Sequence, residues 1–250
     1  DYRYLNATTQ PDPRACYAAG DTVVFGFGSN QCVGEPRENC VYTCQPDDVQ
    51  DEALVDFLRD VAIPATVAVF EETLSVEQDD PVRLDGPTRT LFDGECLVPD
   101  IDVPLEYVTT GIPDNRDMVI FVTARVCPSD STVAFAGACN YEGGVSSSFV
   151  NGRPTAGILN FCPRFYQGLS TATDFQQEGM VRVAMHELTH ALGFSGVLYT
   201  SYLDASGLLY GFPTFEEVAE GTSPAGNRSE QTLSFLQTPH LVQVIQEHLR

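Results

Sequence analysis

The chain contains no lysine and no tryptophan. Its 13 basic residues are all arginine and face 35 Asp and Glu, for a formal net charge of −22. Such a surface repels phosphate backbones and anionic headgroups, which argues against nucleic acid or anionic lipid as a direct partner. The plain account of the charge is a solvated acidic surface that keeps the protein soluble. A preference for basic peptides is the weaker reading, because overall charge says little about a cleft. No apolar run reaches the length a transmembrane segment needs, and no internal repeat or low-complexity tract is present. Cys-x-x-Cys pairs are missing as well. The eight cysteines, an even number, are therefore expected as four disulfides in an oxidising compartment rather than as a metal cluster. Asn6-Ala7-Thr8 and Asn227-Arg228-Ser229 fit glycosylation acceptors, so a secreted or cell-surface location is expected. Asp1 is preceded by neither an initiator Met nor a signal-peptide pattern, the expectation for a processed or partial chain.

What is present is a globular composition: 250 residues, 43% hydrophobic, with ten Tyr and fifteen Phe. That length can bury a sizeable core as one large domain or two closely packed subdomains. Residues 1–46 are rich in Pro, Gly, Asn and Cys, with only residues 23–27 reading as a short strand, and are expected to be a loop-dominated segment fastened by disulfides. Asp47 and Asp48 offer an acidic helix start. Leu54, Val55, Leu58, Val61 and Ala62 follow at helical spacing, and a second run resumes after Pro64, which predicts a long kinked helix against a sheet. Strands are predicted at residues 82–84, 107–109, 118–123, 133–138 and 157–161. Met118-Val119-Ile120-Phe121-Val122 is apolar on both faces, as a central strand would be. The loop at 140–154 is long and polar enough to border a cleft. Residues 196–237 are poorly periodic and read as a surface excursion, after which Thr238-Pro239 begins a short helix. The expected organisation is a segment at 1–46, a subdomain at 47–195, and the start of a C-terminal portion at 196–250.

The chemistry concentrates in residues 181–195, VRVAMHELTHALGFS. His186, Glu187 and His190 form His-Glu-x-x-His, and on a helix two histidines four apart stand about 40° and 6 Å apart, close enough to share one zinc ion. Glu187 directly follows the first ligand, so its carboxylate reaches a water on the open side of the metal rather than the metal itself. Zinc brings that water to a pKa of about 7 and Glu187 accepts its remaining proton as it attacks a peptide carbonyl, the chemistry of peptide hydrolysis. The plain alternative is two surface histidines on an ordinary helix. The context favours the metal. Thr173-Asp174-Phe175-Gln176 reads as a capping box, Val181, Ala184, Leu188 and Ala191 recur on one face, and Gly193 stands where a helix stop is wanted. Gly168-Leu169-Ser170 and Ser146-Ser147-Ser148 lack the strand-turn-helix setting of a serine nucleophile. Pro99-Asp100-Ile101-Asp102 has too few carboxylates for a calcium loop and reads as solvated.

Gly193 also makes the motif resemble that of the metzincin zinc peptidases, where a glycine at this point turns the chain toward a third His. Here no His appears between Gly193 and His240. This delayed pattern, with HELTHALGFS as its signature, resembles the leishmanolysin family, including its invadolysin-like members. Residues 51–70, the Gly94-Glu95-Cys96 turn, residues 117–122, and Arg153-Pro154-Thr155-Ala156-Gly157 through Asn160-Phe161-Cys162-Pro163 resemble segments of that family in its order. The resemblance implies an α+β metzincin-type fold and a secreted or surface-held zinc endopeptidase acting on protein or peptide substrates. His186 and His190 would be the zinc ligands and Glu187 the catalytic base. The rival reading is an extracellular structural or binding glycoprotein that keeps the fold without turnover, and the intact Glu187 speaks against it.

The resemblance further implies disulfides Cys16 with Cys44, Cys32 with Cys40, Cys96 with Cys139, and Cys127 with Cys162. It also implies that the third zinc ligand lies in a C-terminal continuation beyond Arg250. His240 and His248 fall in the segment that resembles a helix preceding the family's third ligand. Met118, Met180 and Met185 all come before His186, so none can form the methionine turn. His240 is the fallback ligand.

Overall fold

The computed structural model describes residues 1–5, 11–24, 40–76, 82–84, 101, 103–127, 129–142, 152–169, 172–196, 198, 206 and 208, and the backbone of 215–222 and 228–235. Helices and sheet are mixed, as an α+β protein requires. Two compact units are present, Asp1–Ser195 and Gly196–Arg250.

The first unit is built on three strands, β3 (Val119–Thr123), β4 (Ala134–Tyr141) and β5 (Pro154–Phe161), in the order β3-β5-β4. β3 runs parallel to β5 and β4 antiparallel to it. β5 is therefore the middle strand of the three, and β3, expected as the central one, flanks it. The apolar sequence of β3 has another cause. Val119 and Phe121 join a core on one face of the sheet while Val122 joins a core on the other, so both faces are covered whatever the strand's rank. Along its free side Val122 N–H donates to the Asp1 carbonyl at 3.0 Å, so the N-terminal segment lies against that edge.

Period-two alternation distributes the side chains of β5 in the same way: Ala156 and Ile158 enter one core, Leu159 and Phe161 the other. Ile158 and Phe161 are 0% exposed, and burial of side chains of that size stabilises by about 1.5–3 kcal/mol each, as an upper estimate.

The helical layer begins with α1 (Glu52–Phe57), capped by Asp51, whose carboxylate accepts Leu54 N–H at 2.7 Å. Asp47 and Asp48, expected to open this helix, instead sit in a 3₁₀ turn, Pro46–Asp48. The helix continues through a π turn, Leu58–Ala62, into α2 (Ile63–Thr73). Pro64 explains the wide turn. It has no N–H to return to residue 60 and its ring crowds that carbonyl, so the turn before it opens to i→i+5 instead of ending the helix. Leu54, Phe57, Leu58, Ala62 and Ile63 pack against Val122, Ala134, Leu159 and Phe161, the helix-on-sheet arrangement expected from the spacing.

Two expected strands are not strands. Residues 107–109 belong to a short helix, α3 (Leu105–Thr109), and 82–84 are irregular, tied by Leu84 N–H to the Tyr107 carbonyl and by Ile112 N–H to the Val82 carbonyl. β-propensity was overridden here by packing on the second core, where Val82, Leu84, Ile101 and Ile112 cover β3 and β5. Of the expected strand at 23–27, β1 (Thr22–Val24) is described and pairs antiparallel with β2 (Val41–Thr43). Of the loop at 140–154, residues 140–141 continue β4 and Pro154 opens β5, while 143–151 lie outside the described residues.

Buried polar groups are mostly paired. Asn160 on β5 accepts from Thr123 Oγ1 (2.7 Å) and Arg125 N–H (2.8 Å), and its amide donates to the Arg125 carbonyl (3.1 Å). Arg125 in turn meets the buried Asp12 at 2.6 Å. Disulfides Cys16–Cys44 and Cys127–Cys162 form as expected, each contributing about 3–4 kcal/mol on the chain-entropy account. Cys40 and Cys139 are also disulfide-bonded. Their expected partners, Cys32 and Cys96, lie outside the described residues.

In the second unit β6 (Phe215–Thr222) and β7 (Arg228–Phe235) form an antiparallel hairpin, with Phe215 opposite Phe235 and Thr222 opposite Arg228. This corrects the expectation of an irregular excursion. The two sequences carry few apolar residues, so the alternation that marks a half-buried strand is weak in them. The expected helix from Thr238, with His240 and His248, lies outside the described residues.

Candidate metal centre

The motif sits on α4 (Asp174–Ala191), whose start and stop are both local. Thr173 Oγ1 accepts Gln176 N–H at 3.3 Å, and Gln176 Oε1 accepts Thr173 N–H at 2.9 Å, the two halves of the capping box. Ala184, Leu188 and Ala191 are buried and Val181 packs beside them, the face expected from the spacing. Small residues at 184 and 191 bring the helix close to the sheet. A Cβ added to Gly157 on β5 would stand 3.2 Å from the Ala191 methyl, 3.1 Å from Met118 Cε and 2.9 Å from the Gly137 carbonyl. The residue after His190 is thus seated in a notch of the middle strand.

At the other end Gly193 takes φ +107°. Its N–H donates to the His190 carbonyl (3.1 Å) and Phe194 N–H to the Thr189 carbonyl (3.1 Å), a Schellman closure. This turn folds the Phe194 carbonyl back to 2.7 Å from His190 Nδ1. A carbonyl only accepts, so Nδ1 carries the proton and Nε2 presents its lone pair. The two Nε2 atoms of His186 and His190 are 3.3 Å apart, with the rings at 88° and centroids 4.9 Å apart. Two nitrogens each about 2.05 Å from a tetrahedral metal are separated by about 3.3 Å, so the pair fits one divalent ion between them. His186 is exposed and His190 half-buried, which leaves the pair open to solvent on one side.

Glu187 is half-buried on the same face of α4. Nearby, Tyr166 is 1% exposed, its ring edge-on to Phe161, and its hydroxyl has no hydrogen-bond partner. Burial, and secondarily the charge of Glu187, push that phenol well above its ordinary pKa. Among the described residues no group of three or more His, Cys, Asp and Glu side chains converges. The fallback ligand His240 and its neighbour His248 lie outside them. Of the acidic loop set aside as solvated, Ile101 is described and fully buried. The Phe194 carbonyl, Gly157 and Tyr166 were not singled out as site residues from sequence. The first had a signal, since a left-handed Gly193 must redirect the next carbonyl; the other two act through contacts distant in sequence.

A profile of the leishmanolysin family, peptidase family M8, matches residues 9–207. The chain is 32% identical over 143 residues to the ciliated left-right organizer metallopeptidase of Xenopus laevis, an alignment covering 56% of this chain and 18% of that protein. It is 29% identical over 163 residues to the leishmanolysin homolog of Crithidia fasciculata, covering 64% and 21%. Against the leishmanolysin-like peptidase of Drosophila melanogaster it is 29% identical over 195 residues, covering 63% and 27%. The chain thus spans about a fifth to a quarter of the length of these relatives. With the family profile matched across most of its length, the chain belongs to the leishmanolysin family.

Proposed function

We propose that this chain carries the N-terminal catalytic part of a secreted or cell-surface zinc endopeptidase with a metzincin-type fold. The carrying observation is the pair of Nε2 atoms 3.3 Å apart on α4, with His190 held by the Phe194 carbonyl and Glu187 beside them. His186 and His190 would hold the ion through Nε2. Zinc, when bound, supplies Lewis acidity to a water and to the scissile carbonyl. Glu187 accepts the proton of the attacking water and returns it to the leaving amine, while the Phe194 carbonyl keeps the His190 ring oriented. Two imidazoles are one protein ligand short of a usual catalytic site, and a C-terminal continuation of the chain would supply the third. The chain's short coverage of its relatives supports that reading. In this scheme residues 1–46 are the fastened N-terminal segment, 47–195 the catalytic subdomain and 196–250 the start of the C-terminal portion. The disulfide-bonded cysteines support an extracellular setting.

The test is the full-length protein and its Glu187→Gln variant. Both should bind zinc with similar affinity, and the variant should lose about 10²–10⁴-fold in peptide hydrolysis. Wild-type turnover in the variant, or hydrolysis by the wild type that survives complete zinc removal, overturns the reading.

A further inference from the structure

A cavity of about 470 Å³ opens beside the first half of α4, walled by Gly179, Met180 and Val183 on the helix and by Val133, Phe165 and Tyr166 opposite. Its lining includes no charged side chain, although the protein carries 48 charged residues as Asp, Glu and Arg together, 35 and 13. Each of the two glutamines that border it has one amide atom engaged. Gln167 Nε2 donates to the carbonyls of Asp47 and Val49, and Gln176 Oε1 closes the α4 cap. With Val133, Phe165, Met180 and Val183 on its walls and no carboxylate in its lining, the cavity suits an uncharged side chain better than a basic one.

Two observations connect it to the histidines. Gly179, Val183, His186 and His190 are spaced i, i+4, i+7, i+11, and Met180, Val183 and Glu187 i, i+3, i+7, so cavity wall and candidate metal centre lie on one face of one helix. Gly179 has no conformational reason to be glycine: it is helical, and a Cβ there would meet nothing within 4 Å. A mid-helix glycine costs about 1 kcal/mol relative to alanine, and here its one structural effect is to keep the cavity wall open. Phe175, 83% exposed, stands one turn further out.

We propose that this cavity is a remote specificity subsite that takes an apolar side chain of the substrate peptide about three residues from the cleaved bond. The proposal rests on the peptidase reading and adds a position and a chemistry to it. Seven helical residues separate Gly179 from His186, about 10 Å of axial rise, and an extended peptide covers that distance in about three residues.

The experiment uses the full-length, zinc-loaded protein and peptides whose cleavage point has been mapped by mass spectrometry. The third residue on each side of that bond is made Gly, Leu or Phe in turn. On one side kcat/KM should be about tenfold or more higher for Leu or Phe than for Gly. Gly179→Leu should erase that difference, and Gly179→Ala should reduce it partway. A preference that persists in Gly179→Leu, or no preference at either position, overturns the subsite while leaving the peptidase reading intact. No zinc-dependent hydrolysis by the wild type overturns the peptidase reading and the subsite with it.

Discussion

His190 Nδ1 lies 2.7 Å from the carbonyl oxygen of Phe194, and the left-handed Gly193 between them makes that approach possible. The glycine thus ends α4 and fixes the tautomer of a candidate ligand in one turn. Gly193→Ala should strain the backbone by about 1–2 kcal/mol and pull the carbonyl away. Zinc affinity should then fall about 10–100-fold, as for loss of other ligand-orienting contacts. Chelator competition run beside a denaturation curve checks it; an unchanged zinc affinity refutes the orienting role.

Gly157 is tested by a methyl group. Gly157→Ala puts a Cβ 2.9 Å from the Gly137 carbonyl, a backbone atom that cannot step aside cheaply. Overpacking of this kind costs about 1–3 kcal/mol, and the helix at Ala191 is the element free to yield. The expected result is a lower midpoint in urea with an unaltered slope. A midpoint equal to the wild type would mean that the notch relaxes without cost.

Arg125 and Asp12 form a buried pair at 2.6 Å, 5% and 1% exposed. Arg125→Met leaves a buried carboxylate without its charge partner and should destabilise by about 3–5 kcal/mol. Removing both charges in Asp12→Asn with Arg125→Met should recover much of that loss. The double-mutant cycle in urea measures it, and additive losses would contradict the account.

Tyr42 donates its hydroxyl to the buried Asp48, and the Arg164 Nε and Nη2 atoms donate to the other carboxylate oxygen at 2.9 and 2.8 Å. Burial first, then the Asp48 hydrogen bond and charge, raise the phenol from 10.0 to about 12. The folded state thus keeps a proton that the unfolded chain gives up near pH 10. Stability from this group is fully present below pH 10 and is lost as pH rises from 10 through about 12. The stability advantage of the wild type over Tyr42→Phe should shrink across that window, and phenolate absorbance should show one fewer late-titrating tyrosine in the variant. A constant difference in stability would exclude the linkage.

What the sequence by itself determined is local. The cap of α4, its buried face, its stop at Gly193 and the spacing of His186, Glu187 and His190 each rest on residues within four or so positions of one another, and helix geometry converts such spacings directly into space. The family signature was legible for the same reason, and the even number of cysteines by count alone. Tertiary structure decided the rest. β5 became the middle strand because strand order is a pairing between distant segments, which the apolar run of β3 does not encode. Residues 107–109 became helix where Tyr107 packs on the second core and its carbonyl accepts the Leu84 N–H from a segment more than twenty residues earlier in the sequence. Gly157 and Gly179 look alike in the sequence. One is a notch against Ala191 and the other opens a cavity wall, and only the approach of a neighbouring element, or its absence, distinguishes a close contact from a pocket.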